Sequence, residues 1–152
     1  MRSTKKSLAL PALVVSVVLC IGCDERLSDI AGPTPDLQPT FTSVQNEIFN
    51  TTDSAGRVGC TQCHTNQGRN PSAGLNLTAG NAYAALVNRP SVQKPGAILV
   101  IPGDPDNSYL VHKVEGAPGI VGQRMPRTAG PFLTPGQILI LRRWIALGAR
   151  ND

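Results

Sequence analysis

The sequence predicts a mainly α fold, a small bundle of about four short helices joined by long irregular loops. Two observations predict it. Apolar residues recur at helical spacing in four separate segments between Phe41 and Ala149. The last segment opens on a complete start signal, Thr134-Pro135-Gly136-Gln137, while only Leu75 to Leu77 and Ala97 to Ile101 read as short extended pieces. The domain comprises about 110 residues, which is small for burying a core of its own.

Taken in order, Arg2, Lys5 and Lys6 precede an apolar run from Leu8 to Ile21. That run is shorter than the ~20 residues a spanning helix needs and has the length of a secretory h-region, so residues 1–22 read as a signal peptide and the chain as exported. Gly22-Cys23 places a small residue immediately before a cysteine. This resembles the cleavage and lipidation site of a bacterial lipoprotein, although Cys20 stands where that pattern usually has Leu or another aliphatic residue. Lipidation of Cys23 is the reading adopted, against ordinary signal-peptidase cleavage at the same bond or an uncleaved anchor. Several acyl chains on one cysteine hold a protein stably at a membrane surface, whereas one chain binds only marginally. Residues 23–39 carry Pro33, Pro35 and Pro39 with Gly32 and little periodic pattern, so they read as a tether that reaches about 50 Å if extended. The domain follows at 40–152.

The first helix is expected from Phe41 to Asn50, with Phe41, Val44 and Ile48 at helical spacing. A short second helix is expected from Asn81 to Val87, with Tyr83, Leu86 and Val87 on one side. The third follows the turn Pro102-Gly103-Asp104-Pro105, with Asp106 or Asn107 as N-cap and Leu110, Val111 and Val114 facing inward. In the fourth, Thr134 as N-cap, Pro135 at N1 and Gln137 at N3 form a capping box. Its stripe is Ile138, Leu141, Trp144, Ile145 and Ala149, and Gly148 is its stop.

Between the first two helices lies Cys60-Thr61-Gln62-Cys63-His64. C-x-x-C-H is the attachment sequence for a c-type haem: two thiols add across the vinyl groups and the adjoining imidazole becomes the proximal iron ligand. One such motif implies one covalent haem, whose apolar disc gives short helices something to pack around. A structural zinc site needs four ligands, and the other Cys and His residues are Cys20, Cys23 and His112, two of them at the processed N-terminus. A thioredoxin-like pair would follow a strand in a βαβ pattern, whereas a helix and a Gly-containing turn precede Cys60 here.

Processing changes the charge. The full chain has 14 basic and 10 acidic residues, and loss of Arg2, Lys5 and Lys6 leaves 11 against 10, a balance of +1. A basic nucleic-acid surface is therefore not supported. With Cys20 removed, Cys23 lipidated and Cys60 and Cys63 on haem, no cysteine is left for a disulfide.

An N-terminal helix, C-x-x-C-H, a long irregular stretch, a Met-Pro loop and a C-terminal helix, in that order, resemble a class I cytochrome c over roughly Thr40 to Ala149. Ile101-Pro102-Gly103-Asp104-Pro105-Asp106-Asn107-Ser108-Tyr109-Leu110-Val111, then Met125-Pro126, then Leu133-Thr134-Pro135-Gly136-Gln137-Ile138 leading to Trp144-Ile145-Ala146-Leu147-Gly148-Ala149, look more narrowly like the planctomycete-type cytochrome c domains. Arg127 departs from that pattern, which often repeats the proline there. The resemblance implies a cytochrome c-like bundle around the haem, with the first and last helices crossing beside its edge and Phe41 or Phe49 near Trp144. Such an aromatic pair reads as core packing before it reads as an electron path.

Two side chains compete for the second axial position. Met125 lies 61 residues after His64 in a Pro-containing loop, matching the family position of the thioether ligand. His112 falls within an amphipathic helix beside Lys113, and its plainer reading is a partly exposed surface residue. Were it the ligand, the reduction potential would be lower, since His/Met ligation raises it. Arg124 and Arg127 flank the Met loop; solvated surface charge is their plainer reading and a haem propionate partner the other.

The expectation is a membrane-tethered monohaem c-type cytochrome passing single electrons between redox partners in the cell envelope, facing the periplasm or an outer surface. Cys60 and Cys63 attach the haem, His64 and Met125 ligate iron, and no residue serves as a catalytic acid, base or nucleophile. A haem sensor or small peroxidase-like enzyme would need an openable distal position. A fixed subunit of a larger complex would use Ile120-Val121 or the 65–100 stretch as interface.

Overall fold

Helix α1 opens at Phe41–Ser43 and continues as a π-helical segment over Val44–Asn50 in the computed structural model, which describes residues 37–127 and 130–152. The expected signal peptide, lipidated Cys23 and the tether as far as Asp36 lie outside the described residues. Thr40 caps α1, its hydroxyl accepting from the Ser43 N–H at 3.2 Å. The next free donors are met by Asp152: its carboxylate accepts from Phe41 N–H at 2.8 Å and its carbonyl from Thr42 N–H at 2.9 Å. These contacts answer the orphan donors that every helix start presents. Phe41, Val44, Gln45, Ile48 and Phe49 form the buried side.

Helix α2, Ala82–Leu86, is one residue shorter at each end than its sequence pattern suggested and buries Ala82 and Leu86. No strand forms among the described residues. The expected extended pieces reduce to isolated bridges, Val87 with Val100, Pro90 with Ile98 and Ile101 with Asp104, none of which involves Leu75 to Leu77.

Helix α3, Tyr109–Glu115, starts later than expected: Ser108 is the N-cap, not Asp106 or Asn107. Asn107 is consumed by the preceding turn, its side-chain amide donating to the Asp104 carboxylate at 2.7 Å and its backbone N–H to the same group at 3.1 Å. Ser108 is committed too, donating to the Asp104 carbonyl and accepting from Ile101 N–H, so α3 has no side-chain cap. Its end is sharper. Gly116 takes the left-handed conformation at φ +74° and returns its N–H to the His112 carbonyl at 3.0 Å, a stop that glycine adopts without strain.

Helix α4, Pro135–Ala146, has the expected capping box, with Thr134 and Gln137 satisfying one another's backbone N–H groups. Leu141, Trp144 and Ile145 are buried, and Leu147 and left-handed Gly148 end the helix. Phe41 is the aromatic that meets Trp144, with ring centres 5.5 Å apart, and it takes Tyr83 edge-on at 5.2 Å. One apolar cluster joins α1, α2, α3 and α4. The result is a small mainly α fold, and among the described residues no helix is long and apolar enough to cross a membrane.

Candidate functional site

Cys60–Gln62 is a single 3-10 turn that closes the C-x-x-C-H segment on itself. The Cys60 carbonyl accepts from Cys63 N–H at 3.2 Å and from His64 N–H at 2.9 Å. Five residues thus bring both thiols and the imidazole out of one turn.

The turn is seated on the C-terminus of α1. A helix leaves its last carbonyls without backbone donors. Here the Arg57 guanidinium donates to Glu47 O at 3.3 Å and Ile48 O at 3.1 Å, and the Thr61 hydroxyl donates to Phe49 O at 3.2 Å. Arg57 is only 1 % exposed, and Asp53 neutralises it at 3.0 Å while accepting from the Arg57 and Ala55 backbone N–H groups. Gly59 lets the two pieces touch: a Cβ there would fall 2.7 Å from Asn50 O and 2.9 Å from Asn50 C, both rigid backbone.

After His64 the chain doubles back, Ser72 N–H donating to Cys63 O at 3.1 Å and Leu77 N–H to His64 O at 2.8 Å. This return places the Ser72 carbonyl 3.0 Å from Nδ1 of His64. A carbonyl can only accept, so Nδ1 carries the proton and the neutral ring keeps its lone pair on Nε2. Burial lowers the His64 pKa below its ordinary value, against the opposing hydrogen bonds to the Ser72 and Leu75 backbone, and the Lys113 ammonium adds a smaller lowering, so the neutral ring is favoured. Iron-binding imidazoles need this state and are commonly oriented by such an outer hydrogen bond.

The thiols of Cys60 and Cys63 are both free, Cys60 half-buried and Cys63 exposed. Desolvation pushes the Cys60 thiol up to about 11, with Arg57 opposing the shift. A dithiol redox pair works through a thiol whose pKa is depressed, and the direction at Cys60 is the opposite one. Among the described residues no group of three or more His, Cys, Asp and Glu side chains is placed to hold a metal ion. Two free thiols and one neutral imidazole whose Nδ1 is held by the Ser72 carbonyl do fit a covalent haem with iron as its metal. A polar cleft of about 570 Å³ opens beside the turn between Asn50, Thr61, Thr65, Gln67, Arg69, Thr78 and Ala79, but none of Cys60, Cys63, His64 or Met125 lines it.

Met125 lies in the loop that leaves α3, and its N–H donates to Lys113 O at 2.8 Å. The same helix holds the loop at several other points: Tyr109 Oη accepts from Val121 N–H at 2.8 Å, and Lys113 Nζ donates to Val121 O at 2.9 Å and Gln123 O at 2.7 Å. Arg124 is not a solvated charge, because its Nε–H donates to Val114 O at 2.7 Å and its guanidinium lies 4.2 Å from the Phe132 ring centre. Arg127 is exposed. His112 is half-buried and differently employed: its Nε2 lies 2.6 Å from the Asp106 carbonyl, on a face where Arg142 pairs with Asp106 and Glu115.

Sequence reasoning missed Arg57, Asp53 and Lys113. The first two carried a signal, opposite charges four residues apart just ahead of the motif. Lys113 carried one as well, since it stands three residues after inward-facing Leu110, and at 7 % exposure it is buried. No family model, curated protein or solved structure matches the chain.

Proposed function

We propose that this chain is a monohaem c-type cytochrome of the cell envelope, tethered to a membrane through lipidated Cys23 and passing single electrons between redox proteins. One observation carries the reading: within a C-x-x-C-H turn, the proximal-position imidazole of His64 is oriented by the Ser72 carbonyl so that Nε2 is the nitrogen left to bind iron. Cys60 and Cys63 would attach the haem, His64 would be the proximal ligand and Met125 the distal one. When bound, the haem supplies reversible one-electron chemistry.

The protein's own part is to hold these groups still. Arg57, Asp53 and Gly59 seat the thiol turn on α1, the 64–77 return fixes the imidazole, and α3 carries the Met125 loop. Little rearrangement is then required when the charge on the iron changes, and no side chain has to act as acid, base or nucleophile.

The test is covalent attachment. Protein made in a host with cytochrome c maturation should keep its haem through denaturing electrophoresis, and Cys60→Ser with Cys63→Ser should lose it. A double variant that retains haem under denaturation overturns the reading.

A further inference from the structure

We propose that Lys113 is the positioning residue that keeps Met125 on the iron, its buried ammonium strapping the Met loop to α3; this rests on the reading of Met125 as distal ligand. The loop from Gly116 to Met125 contains no helix or strand and three glycines at positive φ, Gly116, Gly119 and Gly122. Left to itself such a segment would sample many conformations, because glycine has the most backbone freedom to lose. It is nevertheless tied down at nearly every second residue. Lys94 Nζ donates to Gly119 O at 2.9 Å, Tyr109 Oη takes the Val121 N–H, Lys113 Nζ bridges Val121 O and Gln123 O, and the Lys113 carbonyl receives Met125 N–H.

Lys113 stands apart because it makes three of these contacts, all within the last five residues of the segment. Its ammonium grips the loop before Met125 and its carbonyl grips Met125 itself. Among the described residues its charge has no carboxylate partner, since the ion pairs there are Arg57 with Asp53 and Arg142 with Asp106 and Glu115. A buried ammonium without a counter-ion is costly, and its cost is offset here by loop carbonyls alone. A lysine whose only role was to fill space on α3 would be replaced at no loss by an apolar chain of similar length. A lysine that holds the loop would not.

The experiment compares Lys113→Met, Lys113→Arg, Met125→Ala and Val44→Ala in the haem-loaded, full-length protein. Val44 is fully buried on α1 and takes no part in the hydrogen bonds that hold the loop, so its truncation lowers stability without removing the strap. Two readouts apply well below the unfolding temperature: hydrogen exchange at the Val121 and Met125 amides of the reduced protein, and carbon monoxide binding to the reduced iron. Lys113→Met removes two charge-assisted hydrogen bonds, each worth about tenfold or more in an opening equilibrium, so both readouts should accelerate at least about tenfold. Lys113→Arg should restore much of the protection, and Val44→Ala should leave both readouts near wild type. If Met125→Ala itself fails to admit carbon monoxide, the distal-ligand reading has failed. If Met125→Ala opens the iron while Lys113→Met behaves as wild type, or Val44→Ala opens it as readily, the positioning role is overturned. Should Lys113→Met not accumulate, Lys113→Gln is read by the same two measurements and criteria.

Discussion

Nδ1 of His64 lies 3.0 Å from the carbonyl oxygen of Ser72, and that carbonyl belongs to a turn whose next residue, Ala73, is held at φ +55°. The acceptor is backbone, so the way to disturb it is through the turn. A non-glycine residue in the left-handed region costs about 1–2 kcal/mol, and a β-branched one more. Ala73→Val should therefore destabilise the protein by roughly that amount relative to Ala73→Gly, in a denaturant titration. With His64 on iron as proposed, it should also raise the reduction potential, because a weaker outer hydrogen bond makes the imidazole a less basic ligand. Equal stabilities and equal potentials for the two variants would show that the turn does not govern the imidazole.

Gly59 and Asn50 set a second expectation. An added methyl group would press on Asn50 O and C, which belong to the end of α1 and cannot rotate away. Gly59→Ala should cost about 1–3 kcal/mol, as overpacking does, and lower the fraction of chains that acquire haem. Thermal unfolding and the haem-to-protein ratio measure the two effects. A variant with the wild-type midpoint and full haem would mean that the turn and α1 can part without loss.

Arg57 gives a third. Replacing it by Met strands the Asp53 carboxylate, only 6 % exposed, and uncaps the α1 carbonyls. Breaking a buried pair in this way costs about 3–5 kcal/mol. The double variant Arg57→Met with Asp53→Asn should recover part of that loss, because the stranded charge is gone. Guanidinium titrations of the three proteins decide it, and a double variant no better than Arg57→Met would mean that carbonyl capping, not the ion pair, is what Arg57 supplies.

Much of this architecture was legible in the sequence because it is local. The capping box at Thr134, the stripe through Leu141, Trp144 and Ile145 and the stop at Gly148 all depend on residues within a few positions of one another. The start of α3 was misread because Asp104 claims Asn107 and the Ser108 hydroxyl before either can cap the helix. Within the candidate site, Cys60, Cys63 and His64 announced themselves by spacing. Their support did not: Arg57 under α1, Ser72 behind His64 and Lys113 beneath the Met loop act through contacts made once the chain has folded back.

On the proposed haem reading, Met125 and His112 are the two candidates for one ligand position, and their surroundings differ in a way that favours the thioether. His112 already spends Nε2 on the Asp106 carbonyl, and it shares a face with the Arg142 ion pairs. That bond ties the imidazole to the Asp106 carbonyl and leaves its lone pair on Nδ1, whereas Met125 is held by its backbone N–H and its thioether is not tied by a hydrogen bond. Met125→Ala should accordingly abolish the sulfur-to-iron charge-transfer absorption of the oxidised protein, admit carbon monoxide to the reduced one and lower the potential. His112→Ala should leave all three nearly unchanged and cost about 1 kcal/mol of stability for one lost hydrogen bond. The opposite pattern, with His112→Ala opening the iron and Met125→Ala silent, would make both axial ligands imidazoles and place the protein with partners of lower potential. Spectra of the two single variants, read before and after carbon monoxide, separate these outcomes, and the double variant shows whether either side chain substitutes for the other.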